Sequence, residues 1–336
     1  MASRMKRTAL VGAWLVGVLL VAGNAASSGF DLQAHRGGRG LAPENTLAAF
    51  ARALSLGVTT LEMDLGVTAD GVVVVSHDPE LNPDLTRDPA GRWIERPGPP
   101  LVRLSYEELR TYDVGRLRPG TPYAARYPDQ VAANGQHVPR LADVFGLAAK
   151  AGNSAVRFNV EIKSDPRKNA PTLEPERFAE AVVATIRAHR MEPRTLVQSF
   201  DWRALRHARK VAPEIALVCL TVQRPGDDNV EAGRPGAPAT LGGLDVDDFG
   251  GSVPKLAQAA GCAVWSPNAL DLVPAALAEA HRLGLSVIPW TVNDPLQMDA
   301  LIAQGVDGII TDRPDLLRRV LQARGLPLPA PTPVQP

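Results

Sequence analysis

The stretch that decides the fold is HRGGRGLAPENTLAAFARALSLGVTTLEMDLGVTADGVVVVSHD, residues 35–78. Apolar residues within Leu47–Leu54 repeat at the spacing of an amphipathic helix, which ends at Gly57. The next segment, TTLEMDLGV, suits a strand whose side chains alternate between two faces. Glu62 and Asp64 lie two residues apart in that strand and therefore point the same way. The stretch predicts a helix followed by a strand that carries two carboxylates on one face.

The end of the same stretch predicts a hairpin. An Asp70-Gly71 turn joins the carboxylate strand to a second apolar run, Val72–Val75. His77 and Asp78 follow that run directly. At the other end, His35 closes a short apolar run and is followed by Arg36. Two histidines are thus expected where strands give way to loops.

Beyond this stretch, short apolar runs alternate with longer segments of helical periodicity, which is typical of a parallel sheet with helical crossovers. Eight runs and their helices in ~250 residues predict a (β/α)8 barrel, the TIM barrel. An open doubly wound sheet is the alternative, because periodicity alone does not separate the two. The eight runs are 32–35, 60–65, 156–163, 195–199, 215–221, 263–266, 286–291 and 308–311.

Three segments depart from this repeat. Residues 79–140 are rich in Pro, Gly and Arg, with one predicted helix at 104–112, and form a small insertion after the second strand. Residues 224–254 form a long loop of Gly, Pro and Asp. The Pro-rich tail, residues 325–336, is expected to be extended and solvated. The barrel itself is predicted to span 30–322.

The amino terminus has the layout of a secretory signal peptide, predicted to comprise residues 1–26. Basic residues precede an apolar run, Ala9–Ala22, and small residues follow it. This run is shorter than the ~20 residues that cross a bilayer, although an uncleaved anchor is the alternative. The mature protein is therefore expected to be exported, periplasmic or secreted, without stable insertion in the membrane.

The charge of the chain argues against nucleic-acid binding. The chain has 36 basic and 36 acidic residues, and the leader carries three basic ones, so the mature net charge is about −3. Such a balance offers no basic stripe. Both cysteines, Cys219 and Cys262, lie in apolar runs and are predicted to be buried small hydrophobic residues rather than a disulfide.

Active sites of such barrels lie at the carboxyl ends of the strands, where this sequence places many reactive side chains. Glu161 and Lys163 end the third run in VEIKS, again on one face. Glu62, Asp64 and Glu161 would repel one another unless a cation lay between them. Oxygen ligands favour a hard ion, Ca²⁺ or Mg²⁺. The alternative is that Glu62 pairs with a basic side chain and Asp64 caps a loop.

His35 and His77 titrate near neutral pH and suit a reaction that needs one general acid and one general base. Arg36 and Lys163 add fixed positive charges at the same end of the barrel. A phosphodiester anion would use such charges, because phosphoryl transfer depends on charge neutralisation. The alternative is that both cations pair with the carboxylates themselves.

Six segments together resemble the bacterial glycerophosphodiester phosphodiesterases, over about residues 30–320. They are HRGGRGLAPENT, LEMDLGVTADGVVVVSHDPELN, VEIKS, QSFDW, PWTVND and DGIITDRPD. The resemblance implies a (β/α)8 barrel that hydrolyses glycerophosphodiesters, such as glycerophosphocholine, to glycerol 3-phosphate and a free alcohol. It also implies that the insertion is the small subdomain of that family, which leans over the active site.

Carried over by position, the resemblance assigns roles to eight residues. Asn45 and Thr46, which open the first helix, are interpreted as structural. The metal ligands are Glu62, Asp64 and Glu161; the acid and base pair is His35 and His77; Arg36, Lys163 and Glu44 are expected to contact the substrate. Gln198 and Trp290 are predicted to bind substrate as well, from their places at the ends of the fourth and seventh strands.

Three other functions compete with this interpretation. A phospholipase of the same barrel type, cleaving phosphatidylinositol or sphingomyelin, would want an apolar, often aromatic rim, whereas aromatic residues make up 5% of this chain. A non-catalytic binding protein would have lost some of the histidines or carboxylates. A phosphate-binding isomerase would carry a Gly-rich loop near the last strands, and GIITDRPD lacks a second glycine after the strand.

Overall fold

The computed structural model describes residues 29–168 and 170–336. The predicted leader lies outside this part of the chain. Eleven strands are present in the described residues: β1 Asp31–Ala34, β2 Thr60–Val67, β3 Val73–Val75, β4 Arg157–Ile162, β5 Thr195–Ser199, β6 Ala216–Thr221, β7 Gln223–Arg224, β8 Asp227–Asp228, β9 Val264–Pro267, β10 Ser286–Val287 and β11 Gly308–Thr311.

Helices connect most of these strands, and several begin with a capping side chain or proline. Thr46 caps α1 by accepting from the N–H of Ala49, and Gly57 follows that helix with a φ of +81°. The helices are α1 Leu47–Leu56, α2 Tyr106–Leu109, α3 Pro122–Ala125, α4 Leu141–Lys150, α5 Pro175–Ala188, α6 Trp202–Val211, α7 Val253–Ala260, α8 Pro274–Arg282, α9 Pro295–Gln304 and α10 Pro314–Ala323.

The sheet is a nearly closed barrel of eight parallel strands. Their order is β10-β9-β6-β5-β4-β2-β1-β11. Backbone hydrogen bonds from Ile310 to Pro289 and from Val292 to Ile310 connect the last strand with the segment after β10. The predicted (β/α)8 barrel is confirmed, and the open sheet is excluded by this closure. Each predicted run contains a strand, although β10 has only two residues.

The predicted hairpin is also present. β3 pairs antiparallel with β2, with Val67 opposite Val73 and Leu65 opposite Val75. Because β3 runs antiparallel along the last residues of β2, the chain after β3 places His77 beside the carboxyl end of β2. The N–H of Ser76 donates to the carbonyl of Asp64 over 2.9 Å, which fixes the exit of the hairpin beside the carboxylate strand.

The segment between β3 and α4 packs around a small hydrophobic core of its own. Its buried apolar members include Leu81, Leu101, Leu109 and Val138, with Val74 of the hairpin. The predicted helix at 104–112 is only the four-residue α2, which begins with a capping box of Ser105 and Glu108. The short α3 of this segment brings Tyr123 over the barrel.

The carboxyl-terminal tail corrects one expectation. It is extended, but it lies against the barrel instead of in solvent: the N–H of Thr332 donates to the carbonyl of Leu54 over 2.9 Å. Arg318 donates to the carbonyls of both Gly57 and Pro329. Leu326, Leu328 and Val334 pack on the main core. The apolar residues of the tail are spaced so that they can pack on the barrel together. The high proline content of the tail predicted a solvated segment instead.

The cysteine prediction was wrong, because Cys219 and Cys262 form a disulfide. Cys219 is in β6 and Cys262 lies two residues before β9, and these two strands are neighbours. Their Cα atoms lie 5.9 Å apart, within the range that a disulfide spans. Burial in apolar runs is therefore compatible with a bond between the strands.

Among the described residues, no helix is long and apolar enough to cross a membrane.

Candidate active site

Three carboxylates meet at the carboxyl end of the barrel because their strands are adjacent and in register. Glu62 and Asp64 are on β2 and Glu161 is on β4, where Asp64 pairs with Glu161. One ligand oxygen from each lies within 4.8 Å of the others, and all three side chains are buried. The predicted convergence of these three residues is present in the structure.

Each carboxylate is held by a different set of donors. Glu62 accepts from the backbone N–H of Arg36 over 2.8 Å and from Nε2 of Gln198 over 2.7 Å. Asp64 accepts from Nδ2 of Asn45 over 3.0 Å. Nζ of Lys163 lies 3.1 Å from Glu161 and 3.8 Å from Asp64. These contacts orient the three groups without removing their mutual repulsion.

The pKa values of the carboxylates reflect that repulsion. Burial, together with the negative charge of Asp64, holds the pKa of Glu62 well above its usual range. Burial also raises the pKa of Glu161 to about 7 against the attraction of Lys163. The pKa of Asp64 is shifted the other way. Burial would raise it, but the positive groups around Asp64, with Arg36 the strongest and Lys163 among them, together outweigh burial and hold the pKa low. In the absence of a cation the site thus resists carrying three negative charges.

This donor set fits a hard divalent cation. All three candidate ligands are carboxylate oxygens, which Ca²⁺ and Mg²⁺ prefer, and a cation among them would offset the repulsion that raises the pKa values of Glu62 and Glu161. In the described part of the chain, this is the one cluster of acidic, histidine or cysteine side chains close enough to hold a metal.

His35 is oriented by Asp312, which follows β11. Its Nδ1 lies 2.6 Å from Oδ1 of Asp312, and that carboxylate also accepts from Arg39 and Asn293. Burial and the charge of Arg39 lower the pKa of His35 to about 4, although Asp312 attracts a proton to it. Because the carboxylate only accepts, Nδ1 carries the hydrogen and Nε2 of the neutral ring is left with its lone pair.

His77 has a similar but more exposed arrangement. Its Nδ1 lies 2.8 Å from Oδ1 of Asp78, whose second oxygen accepts from Asn82 over 2.6 Å. The side chain of His77 is 32% exposed, against 11% for His35. Burial and the charges of Lys163 and Arg36 lower the pKa of His77. Both imidazoles are therefore neutral at pH 7 and each is held by a carboxylate.

Arg36 is held by an unusual backbone conformation and by two carboxylates. Its φ is 53°, a left-handed conformation that few residues other than glycine adopt. Nη1 donates to Glu44 over 2.7 Å, and Nε lies 3.1 Å from Oδ2 of Asp64. The second oxygen of Glu44 accepts from the hydroxyl of Tyr123. Glu44 thus contacts Arg36 and the insertion, and both of its oxygens are engaged.

A cavity of about 460 Å³ opens over these groups. Both histidines, Arg36, Lys163, Glu62 and Glu161 line it, together with Gln198 and Trp290. The ring of Trp290 meets that of Phe200 edge to face, with centroids 5.2 Å apart. The cavity therefore combines two imidazoles, several cationic side chains and the carboxylates of Glu62 and Glu161 with an aromatic wall. Such a site suits a small phosphodiester that carries organic groups on both sides.

The sequence profile of the glycerophosphoryl diester phosphodiesterase family matches residues 35–316. The chain belongs to that family. It is accordingly a phosphoric diester hydrolase, as both the site and the relatives below indicate.

Relatives of this family cover most of the chain. A glycerophosphodiester phosphodiesterase of Caldanaerobacter subterraneus is 28% identical over 294 residues, 87% of this chain and 98% of that protein. A solved structure from Silicibacter pomeroyi, which carries the same family name, is 38% identical with a TM-score of 0.78, covering 91% of this chain and 98% of its own. A phosphodiesterase of Oleispira antarctica, solved in complex with the product sn-glycerol-3-phosphate, shares the fold at 22% identity with a TM-score of 0.62, covering 86% and 96%.

Within this phosphodiesterase, several residues that touch the site were given no role from the sequence. Asp312 and Asp78 hold the two histidines, and Arg39 and Tyr123 contact Asp312 and Glu44 respectively. Asn45, interpreted as structural, donates to Asp64. The positions of Asp78, beside His77, and of Asp312, at the end of the eighth strand, were available signals. The sequence carries no comparable signal for Tyr123.

Proposed function

We propose that this phosphodiesterase hydrolyses glycerophosphodiesters to glycerol 3-phosphate and an alcohol, using a divalent cation held by Glu62, Asp64 and Glu161 and an acid and base pair of His35 and His77. The observation that carries the proposal is the shared cavity of about 460 Å³, which is lined by both imidazoles and by two members of the carboxylate cluster, Glu62 and Glu161. The sn-glycerol-3-phosphate in the Oleispira antarctica structure supports the identity of the product.

A cation in the carboxylate cluster would supply positive charge to the non-bridging phosphate oxygens. Arg36 and Lys163 line the same cavity and remain charged at neutral pH, so they can bind the phosphate and stabilise the charge that develops in the transition state. Because Arg36 is already held by Glu44 and Asp64, it is positioned before the substrate binds.

The two histidines differ in ways that favour separate roles. His35 has a pKa of about 4 and stays neutral, so its Nε2 can take a proton from the attacking hydroxyl group. His77 is also neutral at pH 7, but its side chain is more exposed, so Nε2 can take up a proton from solvent and pass it to the oxygen of the leaving alcohol. The attacking group is water or a hydroxyl of the substrate glycerol; the second route passes through a cyclic phosphate.

The test is activity on glycerophosphocholine after chelation, with Mg²⁺ and Ca²⁺ restored separately and glycerol 3-phosphate measured as the product. We expect chelation to abolish turnover and at least one ion to restore it. His35→Ala and His77→Ala, each verified as folded by circular dichroism, should lower turnover by about 10²- to 10⁴-fold. Full activity after chelation would contradict the metal site, and full activity of either variant would contradict the acid and base pair.

Intact lipid vesicles of phosphatidylinositol or sphingomyelin, assayed in parallel, test the phospholipase alternative. In the described residues, the large apolar side chains that are strongly exposed are Val131, Leu270, Val273 and Leu296, none of which is aromatic. We therefore expect the soluble diester to be the better substrate. Hydrolysis of the vesicles in preference to glycerophosphocholine would support the phospholipase.

We also infer that the protein is exported to the periplasm or secreted. The leader-like amino terminus and the disulfide between Cys219 and Cys262 support this location, because disulfides persist mainly in oxidising compartments. Fractionation of the native host, with detection of the shortened mature chain, is the test. Recovery of full-length, reduced protein from the cytosol would contradict the inference.

A further inference from the structure

A row of three buried amide side chains runs through the inside of the barrel between two carboxylates. It begins at Asp31 on β1 and ends at Glu62, the candidate metal ligand on β2. Gln33, Asn159 and Gln198 lie between them, each about 1% exposed. These amides come from three strands, β1, β4 and β5, so the row crosses the barrel interior from one carboxylate to the other.

The hydrogen bonds of the row have one consistent direction from its centre outward. Asn159 donates from Nδ2 both to Oε1 of Gln33 and to Oε1 of Gln198, over 2.9 Å each. Gln33 then donates from Nε2 to Asp31 over 2.9 Å. Gln198 donates from Nε2 to Glu62 over 2.7 Å. Asn159 is thus a double donor, and its own Oδ1 has no hydrogen-bond partner among the described residues.

The two terminal carboxylates enforce this direction. Glu62 would be ionised with a cation bound, and an ionised carboxylate only accepts hydrogen bonds, so each glutamine must turn its NH₂ group outward and its carbonyl oxygen towards the centre. The central side chain must then donate twice, which the NH₂ group of an asparagine can do. Turning Gln198 over would place its Oε1 against Glu62 and leave two acceptors facing each other in a buried site, which is unfavourable.

The end of the row farthest from Glu62 is anchored by charge. Nη2 of Arg157 lies 2.6 Å from Oδ2 of Asp31, and the hydroxyl of Thr60 donates to Oδ1 of Asp31 over 2.7 Å. These donors compensate the buried carboxylate of Asp31. The direction in which Gln198 faces is therefore supported from the far end of the row, through Asn159 and Gln33, as well as by Glu62 itself.

We propose that Gln33 and Asn159 are positioning residues for the metal site, because they fix Gln198 with its NH₂ group towards Glu62 and thereby hold that carboxylate in its ligand orientation. This inference rests on the proposed function, since it requires Glu62 to bind a cation. Neither residue is among those that line the cavity, so both act through Gln198.

The sharpest test is Asn159→Asp, which keeps the shape of the side chain but replaces a double donor by an acceptor. Gln198 should then turn its NH₂ group to the new carboxylate and present Oε1 to Glu62. We expect Mg²⁺ or Ca²⁺ to bind 10- to 100-fold more weakly, as measured by isothermal titration calorimetry on chelated protein. At saturating metal the KM for glycerophosphocholine should change less than the metal affinity.

Two further variants should weaken metal binding by smaller amounts. Asn159→Leu removes both donated bonds without adding an acceptor, so its metal affinity should fall less than that of Asn159→Asp. Gln33→Met should cause a smaller fall again, because Asn159 keeps its bond to Gln198.

Asn153→Asp is the matched control, since Oδ1 of that residue accepts from two backbone N–H groups and a carboxylate can do the same. Its metal affinity should equal that of the wild type.

The outcomes separate this inference from the proposed function. If the wild type binds neither ion, the metal site of the proposed function fails, and this inference fails with it. If the wild type binds an ion and the Asn159 variants bind it equally well, only the positioning role is overturned. Should Asn159→Asp not fold, the affinities of Asn159→Leu and Gln33→Met decide, and wild-type values in both would overturn the proposal.

Discussion

Nδ1 of His35 lies 2.6 Å from Oδ1 of Asp312, a residue 277 positions later in the chain. The two meet because β1 and β11 are neighbours, with Ala34 paired to Thr311 in register. Closure of the barrel therefore joins the first candidate catalytic group to the residue that orients it. Arg39 and Asn293 hold the same carboxylate in place.

Asp312→Asn should lower the kcat for glycerophosphocholine by about 10- to 100-fold, as for other partners that orient a reactive side chain. The amide can donate to Nδ1 of His35, which would shift the hydrogen of the ring to Nε2 and remove the base. The measurement is steady-state kinetics on the folded variant with metal present.

The matched control for this change is Glu180→Gln, which alters a carboxylate paired with a histidine on the surface. Nε2 of His207 lies 2.9 Å from Oε1 of Glu180. We expect wild-type kcat for Glu180→Gln. An unchanged kcat for Asp312→Asn would remove Asp312 from the mechanism.

Acid should destabilise the protein through His35. Its pKa is lowered to about 4 in the folded chain but is about 6.5 when unfolded, so between these values only the unfolded state takes up the proton. The stabilising contribution is complete above pH 6.5 and is lost as the pH falls towards 4, by up to about 3 kcal/mol.

Urea unfolding of the wild type and of His35→Gln at pH 7 and pH 4.5 measures this contribution. The variant lacks the titrating ring, so its unfolding free energy should fall less over this interval. Equal losses in the two proteins would show that His35 does not resist protonation in the folded state.

Reduction of the Cys219–Cys262 disulfide should lower the unfolding free energy by about 4 kcal/mol, because the bond closes a loop across a sequence separation of 43 residues. Urea unfolding with and without a reductant measures the change. The double variant Cys219→Ala, Cys262→Ala should be as unstable as the reduced protein and insensitive to the reductant. If the reductant also destabilised the double variant, the loss of stability in the wild type could not be assigned to the disulfide.

Tyr123→Phe should raise the KM for glycerophosphocholine about 5- to 30-fold, equivalent to about 1–2 kcal/mol. The change leaves the carboxylate of Glu44 short of one donor and so loosens its hold on Arg36. Tyr127→Phe is the control, because it keeps the ring that lies 5.0 Å from the guanidinium of Arg39. If both variants have the wild-type KM, the insertion does not position Arg36.

Much of the barrel was predictable because the signals for strands and for the ends of helices lie within short stretches of sequence. The eight apolar runs, the helix ending at Gly57 and the Asp70-Gly71 hairpin all follow from short-range patterns. The two-residue spacing of Glu62 and Asp64 placed both on one face. The tail and the cysteines were predicted incorrectly because burial against a distant surface, and pairing across two strands, are not local properties.

The amino-acid sequence by itself determined the alternation of strands and helices, the reactive residue types at the strand ends and the family. Only the tertiary structure decided which groups face one another. The pairing of His35 with Asp312, the contact of Tyr123 with Glu44 and the amide row behind Glu62 all join residues from separate elements. Their geometry depends on barrel closure and strand register, because hydrogen bonds form only between groups that the packed fold brings within about 3 Å.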